Sequence, residues 1–126
     1  MKEYVGSFYI TVAVSDSKVE QFEDVRMLVD TGAAWTWVPK DILDRLGHKP
    51  TVKRRLQTAD KRIIERDAGM VTIRIGEEVL ATLTVFGDEG SIPLLGATTL
   101  QQFSLAPDPV NERLVPIVGV LATLLE

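Results

Sequence analysis

The sequence predicts an all-β, barrel-like fold with two short helices. Three observations carry this. Apolar and polar residues alternate in runs of strand length, most cleanly over Tyr4–Val14 and Gly69–Ile75. Val, Ile, Thr, Tyr and Phe dominate those runs, and these are side chains that suit a pleated, half-buried surface. Turn-forming clusters separate the runs: Ser15-Asp16-Ser17-Lys18, Ala59-Asp60-Lys61, Gly76-Glu77-Glu78 and Gly87-Asp88-Glu89-Gly90.

The elements follow in order. Tyr4–Val14 is a strand with Phe8, Ile10, Val12 and Val14 on one side, and Val19–Val29 returns as the second arm of a hairpin. Ala33–Val38 resumes as a strand. Pro39 suits a first helical turn, and Ile42, Leu43 and Leu46 share one face of a helix over Lys40–Leu46 that Gly47 stops. Pro50 confirms the break. Thr51–Thr58 and Arg62–Arg66 are the arms of a hairpin with a polar tip. Gly69–Ile75 and Val79–Phe86 form the next pair. Ile92–Gly96 is a short buried strand, Ala97–Phe103 a helix of one to two turns, and Ser104–Ala106 with Arg113–Ile117 a last hairpin around a Pro-Asp-Pro loop. Val118–Leu125 is an apolar tail.

At 126 residues the chain is expected to form one domain spanning 1–126, large enough to bury a core without staples. A net charge of −4 gives no reason to expect nucleic acid or an anionic membrane as partner. The longest apolar run, Val115–Leu125, is shorter than the roughly 20 residues that cross a bilayer, and the N-terminus lacks the features of a signal peptide. Cysteine is absent, which removes disulfides, thiol catalysis and zinc–thiolate sites and suits a reducing, cytoplasmic setting. A single histidine, His48, cannot make a multi-histidine metal site. Its place after Gly47 suggests a favourable interaction with a helix C-terminus.

The residue that demands an explanation is Asp30. The run Met27–Pro39, MLVDTGAAWTWVP, brings an acid to the end of a hydrophobic strand and turns it at Thr31-Gly32. Carboxylates are seldom buried without a partner, because desolvating the charge is costly. Two accounts are open. Asp30 can hydrogen-bond the amides of Gly32 and Ala33 in an Asx-type turn, or the turn can present the carboxylate for acid–base chemistry. In the second case one carboxylate is insufficient. Peptide hydrolysis through an activated water needs an ionised group to accept the water's proton and a protonated one to polarise the carbonyl. Two adjacent carboxylates do this by sharing a proton. The chain has a single Asp-Thr-Gly, so the second carboxylate comes from a second copy, most simply about a two-fold axis.

The stretch Leu28–Ala33, LVDTGA, resembles the catalytic turn of aspartic proteases, and specifically of the single-domain, retroviral-type (retropepsin-like) branch. The likeness covers roughly Tyr4 to Ile117. The Thr51–Met70 hairpin stands where that family keeps its flap, with Thr58-Ala59-Asp60-Lys61 at the tip. Leu94-Leu95-Gly96 before a short helix matches the element that packs behind the catalytic loop. The resemblance implies a closed barrel-like acid-protease fold with a flap hairpin, and an aspartic endopeptidase active as a homodimer on peptide or protein substrates, without cofactor or metal. It assigns Asp30 as catalytic acid/base, Thr31 to hydrogen bonds between the paired turns, and Gly32 to close backbone approach. Ala33, Ala34, Thr58, Ala59, Asp60 and Lys61 would contact substrate. There are departures: Ala34 stands where viral members usually carry an acid, the tip is charged and not glycine-rich, and the tail is longer. The tail is expected to supply dimer strands or to pack on its own subunit. The competing reading is a non-catalytic fold-mate that binds peptide or only dimerises.

Other residues have plainer readings. Trp35 and Trp37 share one face of a strand, where core or interface packing is the default and pocket lining the alternative. Lys53, Arg54, Arg55, Lys61, Arg62 and Arg66 form a basic cluster that reads as a solvated hairpin surface, with a preference for acidic substrates as the alternative.

Overall fold

The computed structural model describes residues 7–119. Among them run β1 (Tyr9–Ser15), β2 (Phe22–Val29), β3 (Thr36–Pro39), α1 (Lys40–Arg45), β4 (Val52–Gln57), β5 (Ile63–Ile75), β6 (Glu78–Gly87), β7 (Leu94–Leu95), α2 (Ala97–Gln102), β8 (Leu105–Asp108) and β9 (Arg113–Pro116). Seven strands make one sheet in the order β1-β2-β7-β3-β6-β5-β4. β1 also pairs with β5, through Ala13–Arg74 and Val14–Ile73. The sheet therefore curls back on itself into a ring, and β4 is left outside as one arm of a hairpin. This is the all-β architecture expected from the alternation.

The ring's interior takes the apolar face of each strand. Val12 and Val14 of β1 and Val25, Met27 and Val29 of β2 lie inside with Val38, Val71, Ile73 and Leu95, closed by Leu43 of α1 and Leu100 and Phe103 at α2. Each fully buried side chain of this size contributes about 1.5–3 kcal/mol. The register Val12↔Val25 and Ile10↔Met27 sets these rows side by side.

Where boundaries differ from the alternation pattern, a local bond explains it. β2 starts at Phe22 and not at Val19, because Val19 has φ +56 in the β1–β2 turn. There Asp16 accepts the amides of Lys18 and Glu20 at 3.2 and 2.9 Å, and the bond from Glu20 leads the causes that hold its carboxyl below the ordinary value. β3 starts at Thr36 and not at Ala33, because the carbonyls of Ala33 and Ala34 accept the amides of Ala97 and Thr98 instead of strand neighbours. β5 runs unbroken through Asp67-Ala68-Gly69. Its first half pairs with β4 and its second with β6, so two hairpins share one strand.

α1 ends as its sequence suggests. Gly47 has φ +86, its amide donates to Asp44 O, and the His48 amide reaches back to Leu43 O, the paired closure of a left-handed C-cap. The His48 ring does something else. Nε2 donates to the Ser15 carbonyl at 2.6 Å and ties the helix end to β1.

β8 and β9 form a separate two-stranded sheet. The proposed strands of the tail fall mostly on residues 120–126, and the start of the Tyr4–Val14 strand on 1–6, all outside the described residues. Among the described residues no helix is long and apolar enough to cross a membrane.

Candidate active site

β2 delivers Asp30 to the surface in a fixed orientation. The Asp30 amide donates to Leu95 O at 3.0 Å and its carbonyl accepts from Ala33 N at 3.1 Å. Oδ1 accepts the Gly32 amide at 2.9 Å. A Cβ on Gly32 would stand 3.2 Å from that same oxygen, so the turn is tight against the carboxylate. Among the described residues no donor meets Oδ2. The Asx-type turn and a presented carboxylate thus coexist, since the turn bond holds one oxygen and leaves the other open. Asp30 is half-buried, while Thr31, Gly32 and Ala34 are exposed.

Beneath the turn lies an uncharged polar bed. Thr36 Oγ1 and Thr99 Oγ1 are 2.7 Å apart, and Thr99 Oγ1 and Thr82 Oγ1 2.8 Å. The Gly96 amide donates to Thr36 Oγ1 at 3.0 Å, and Thr84 Oγ1 to the Thr82 carbonyl at 3.1 Å. All four threonines are fully buried. These bonds lace β3, β6 and α2 together directly behind Ala33–Trp35. Gly96 is required there, because a Cβ would lie 2.4 Å from the carbonyl carbon and oxygen of Trp35.

Asp30 opens into a cleft of about 610 Å³. One wall is the turn and its sequel: Gly32, Ala33, Ala34, Trp35, Trp37 and Leu94. The other is the β4–β5 hairpin, through Arg55, Leu56, Gln57, Thr58, Ala59 and Ile64. The hairpin tip is held by its own polar groups. Thr58 N–H donates to Arg62 O at 2.8 Å and Lys61 N–H to Thr58 O at 2.9 Å. The Thr58 hydroxyl donates to the Asp60 carboxylate, and Arg62 Nε donates to its other oxygen at 2.9 Å. These two bonds, the hydroxyl's first, hold the Asp60 carboxyl below its ordinary value.

A carboxylate at the bottom of a cleft, with a hairpin over it, is matched by similarity to known proteins. The family described as "gag-polyprotein putative aspartyl protease" matches residues 16–102. The chain belongs to this family. Among solved structures it resembles EIAV protease complexed with the inhibitor HBY-793, with a TM-score of 0.58 and 20% identity, over 75% of this chain and 86% of that one. It also resembles the simian foamy virus (mac) protease in its solution structure, with a TM-score of 0.54 and 14% identity, over 76% of this chain and 94% of that one. At such identities the likeness establishes a shared retropepsin-like fold. No curated protein matches the sequence.

Of the residues expected in the site of this aspartyl protease family member, Asp30, Gly32, Ala33, Ala34, Thr58 and Ala59 line one cleft. Thr31 lies on the exposed side of the turn, outside the cleft wall. Asp60 and Lys61 are exposed and also outside the wall: Asp60 is turned onto Thr58 and Arg62, and Lys61 carries the left-handed φ of +70 that closes the tip. Trp35 and Trp37 face the cleft instead of the core, each only half-buried. Their spacing of two was the signal, since Thr36 and Val38 between and after them point inward and are fully buried. The threonine bed had no sequence signal, its members being scattered over three elements. Among the described residues no three His, Asp or Glu side chains gather to hold a metal.

Proposed function

We propose that the chain is an aspartic endopeptidase that works as a homodimer, with the Asp30 carboxylates of two subunits sharing a proton about a two-fold axis. The observation that carries this reading is the Asp30 turn itself: one carboxylate oxygen pinned by the Gly32 amide, the other open to a peptide-sized cleft. In the reaction, the ionised Asp30 accepts a proton from a water as its oxygen attacks the scissile carbonyl carbon. The protonated Asp30 of the other subunit donates to the carbonyl oxygen, giving a neutral gem-diol. A diol proton then returns to a carboxylate, the C–N bond breaks, and the departing nitrogen takes a proton from the dyad. No cofactor enters these steps.

Placement supports the remaining roles. Thr31, on the open side of the turn, hydrogen-bonds across the paired turns. Gly32 with Ala33 and Ala34 presents backbone to the substrate main chain, and the Thr58–Lys61 tip closes over it as a flap. The 126 residues act as one domain, and a cytoplasmic setting fits the absence of cysteine.

The test is cleavage of a peptide library between pH 3 and 8 by wild type and by Asp30→Asn at matched dimer fraction. Cleavage by wild type alone, weighted to the acid side, is the expected result. A well-folded dimer that cleaves nothing at any pH overturns the reading in favour of a peptide-binding or dimerisation module.

A further inference from the structure

The cleft has an unbalanced charge beside it. Asp30 is the sole carboxylate and Arg55 the sole cation among its lining residues, whose large apolar side chains include Trp35, Trp37, Leu56 and Leu94. Arg54 stands two residues before Leu56 on β4, hence on the same, cleft-facing side of the strand. It is half-buried, with its guanidinium 5.9 Å from the centre of the Trp35 ring.

The neighbouring cations differ from it. Lys53 pairs with Asp67 at 2.9 Å, Arg62 with Asp60 at 2.9 Å and Arg66 with Asp88 at 3.3 Å. Arg55 also belongs to the cleft wall, but it is exposed and stands directly across from Glu65. Arg54 uses one donor, Nη1, on the Lys53 carbonyl at 2.9 Å. Among the described residues no carboxylate comes within ion-pair distance of it. Its remaining N–H groups form a planar fork, steadied on an aromatic face, of the geometry that takes a carboxylate by two parallel bonds.

We propose that Arg54, seated on Trp35, makes this cleft select peptides that carry an acidic side chain close to the apolar residue bound beside Asp30. The inference rests on the cleft being a substrate site and names the substrate class it takes. Ala34 contributes to it by leaving the wall between Asp30 and Trp35 free of a competing carboxylate.

The experiment compares peptides with Glu or Gln placed in turn at each position flanking the scissile bond. At pH 6 wild type is expected to show kcat/KM about fivefold higher for Glu at one position, the scale of a partly screened ion pair. The preference fades toward pH 3.5, because the substrate Glu protonates near pH 4.3. Arg54→Gln brings the ratio to parity with cleavage of the Gln peptide retained, Arg54→Glu inverts it, and Lys53→Gln, at a cation outside the cleft wall and already paired with Asp67, leaves it unchanged. Equal rates for Glu and Gln at every position, or a ratio that survives Arg54→Gln, overturn the inference while leaving the protease reading intact. If wild type cleaves neither peptide, the protease reading fails by itself. The inference is then decided by binding of the same peptides to the Asp30→Asn dimer, where equal affinities for Glu and Gln overturn it.

Discussion

The two walls of the cleft are built from opposite materials. The Asp30 wall rests on backbone bonds to Leu95, Ala97 and Thr98 and on four fully buried threonine hydroxyls. The hairpin wall is held at its tip by Asp60, Thr58 and Arg62, all bonded to one another with Asp60 and Arg62 in solvent. Buried neutral bonds in a low-dielectric bed are costly to lose and indifferent to salt and pH, whereas exposed charge pairs are cheap, screened and titratable. One wall is fixed by buried neutral bonds, the other by exposed charged ones.

The contrast breaks most severely at Gly96. Gly96→Ala puts a methyl 2.4 Å from backbone atoms of Trp35, which cannot rotate away as a side chain would. Chemical denaturation should show a loss of about 3 kcal/mol. An effect below ~0.5 kcal/mol would mean that the bed yields easily.

A gentler break is Thr99→Val, which keeps the shape and removes the hydroxyl bonded to both Thr36 and Thr82. Left without these partners, the two buried hydroxyls should cost about 1–3 kcal/mol in denaturation. At matched folded fraction, peptide turnover should also drop, because the Thr36 hydroxyl holds the Gly96 amide and the preceding Leu95 carbonyl accepts the Asp30 amide.

The smallest effect is expected at the tip. Asp60 has its carboxyl held below the ordinary value, chiefly by the Thr58 hydroxyl and then by Arg62. A depressed folded-state value means that its contribution is complete above the ordinary carboxylate range and is lost as the pH falls below it. Hydrogen exchange should find the Lys61 and Arg62 amides equally protected, after correction for intrinsic rates, from pH 7 down to about pH 4.5. Protection should fall below that range. Asp60→Asn should weaken it at every pH while the global denaturation midpoint stays in place. The tip would thus stay ordered across the mildly acidic range where a carboxylate dyad works.

How much of this could be read from the chain differs between the same two walls. The hairpin wall was legible, since the Thr58–Lys61 tip, its arms and its turn chemistry are contiguous in sequence and local in cause. The Asp30 turn was legible too, as an acid at the end of an apolar strand. Its bed was not. Thr36, Thr82, Thr84 and Thr99 read locally as β-branched strand residues and one helix residue, and only the closing of the ring brings their hydroxyls together. The continuity of β5 through Asp67-Ala68-Gly69 was hidden for a related reason. Those residues have weak strand preference, and pairing on both sides with β4 and β6 overrides it. Trp35 and Trp37 stood between the cases: their shared face was readable, but not that it fronts the cleft.

The central claim is that one active centre takes one Asp30 from each of two chains. Its most direct test is subunit mixing. Wild-type and Asp30→Asn subunits are exchanged to equilibrium at fixed total concentration, with dimer content verified, and cleavage is measured against the wild-type fraction. If both carboxylates are needed, mixed dimers are silent and activity falls as the square of that fraction. A straight-line fall would mean that each chain works alone, and the shared dyad would be contradicted.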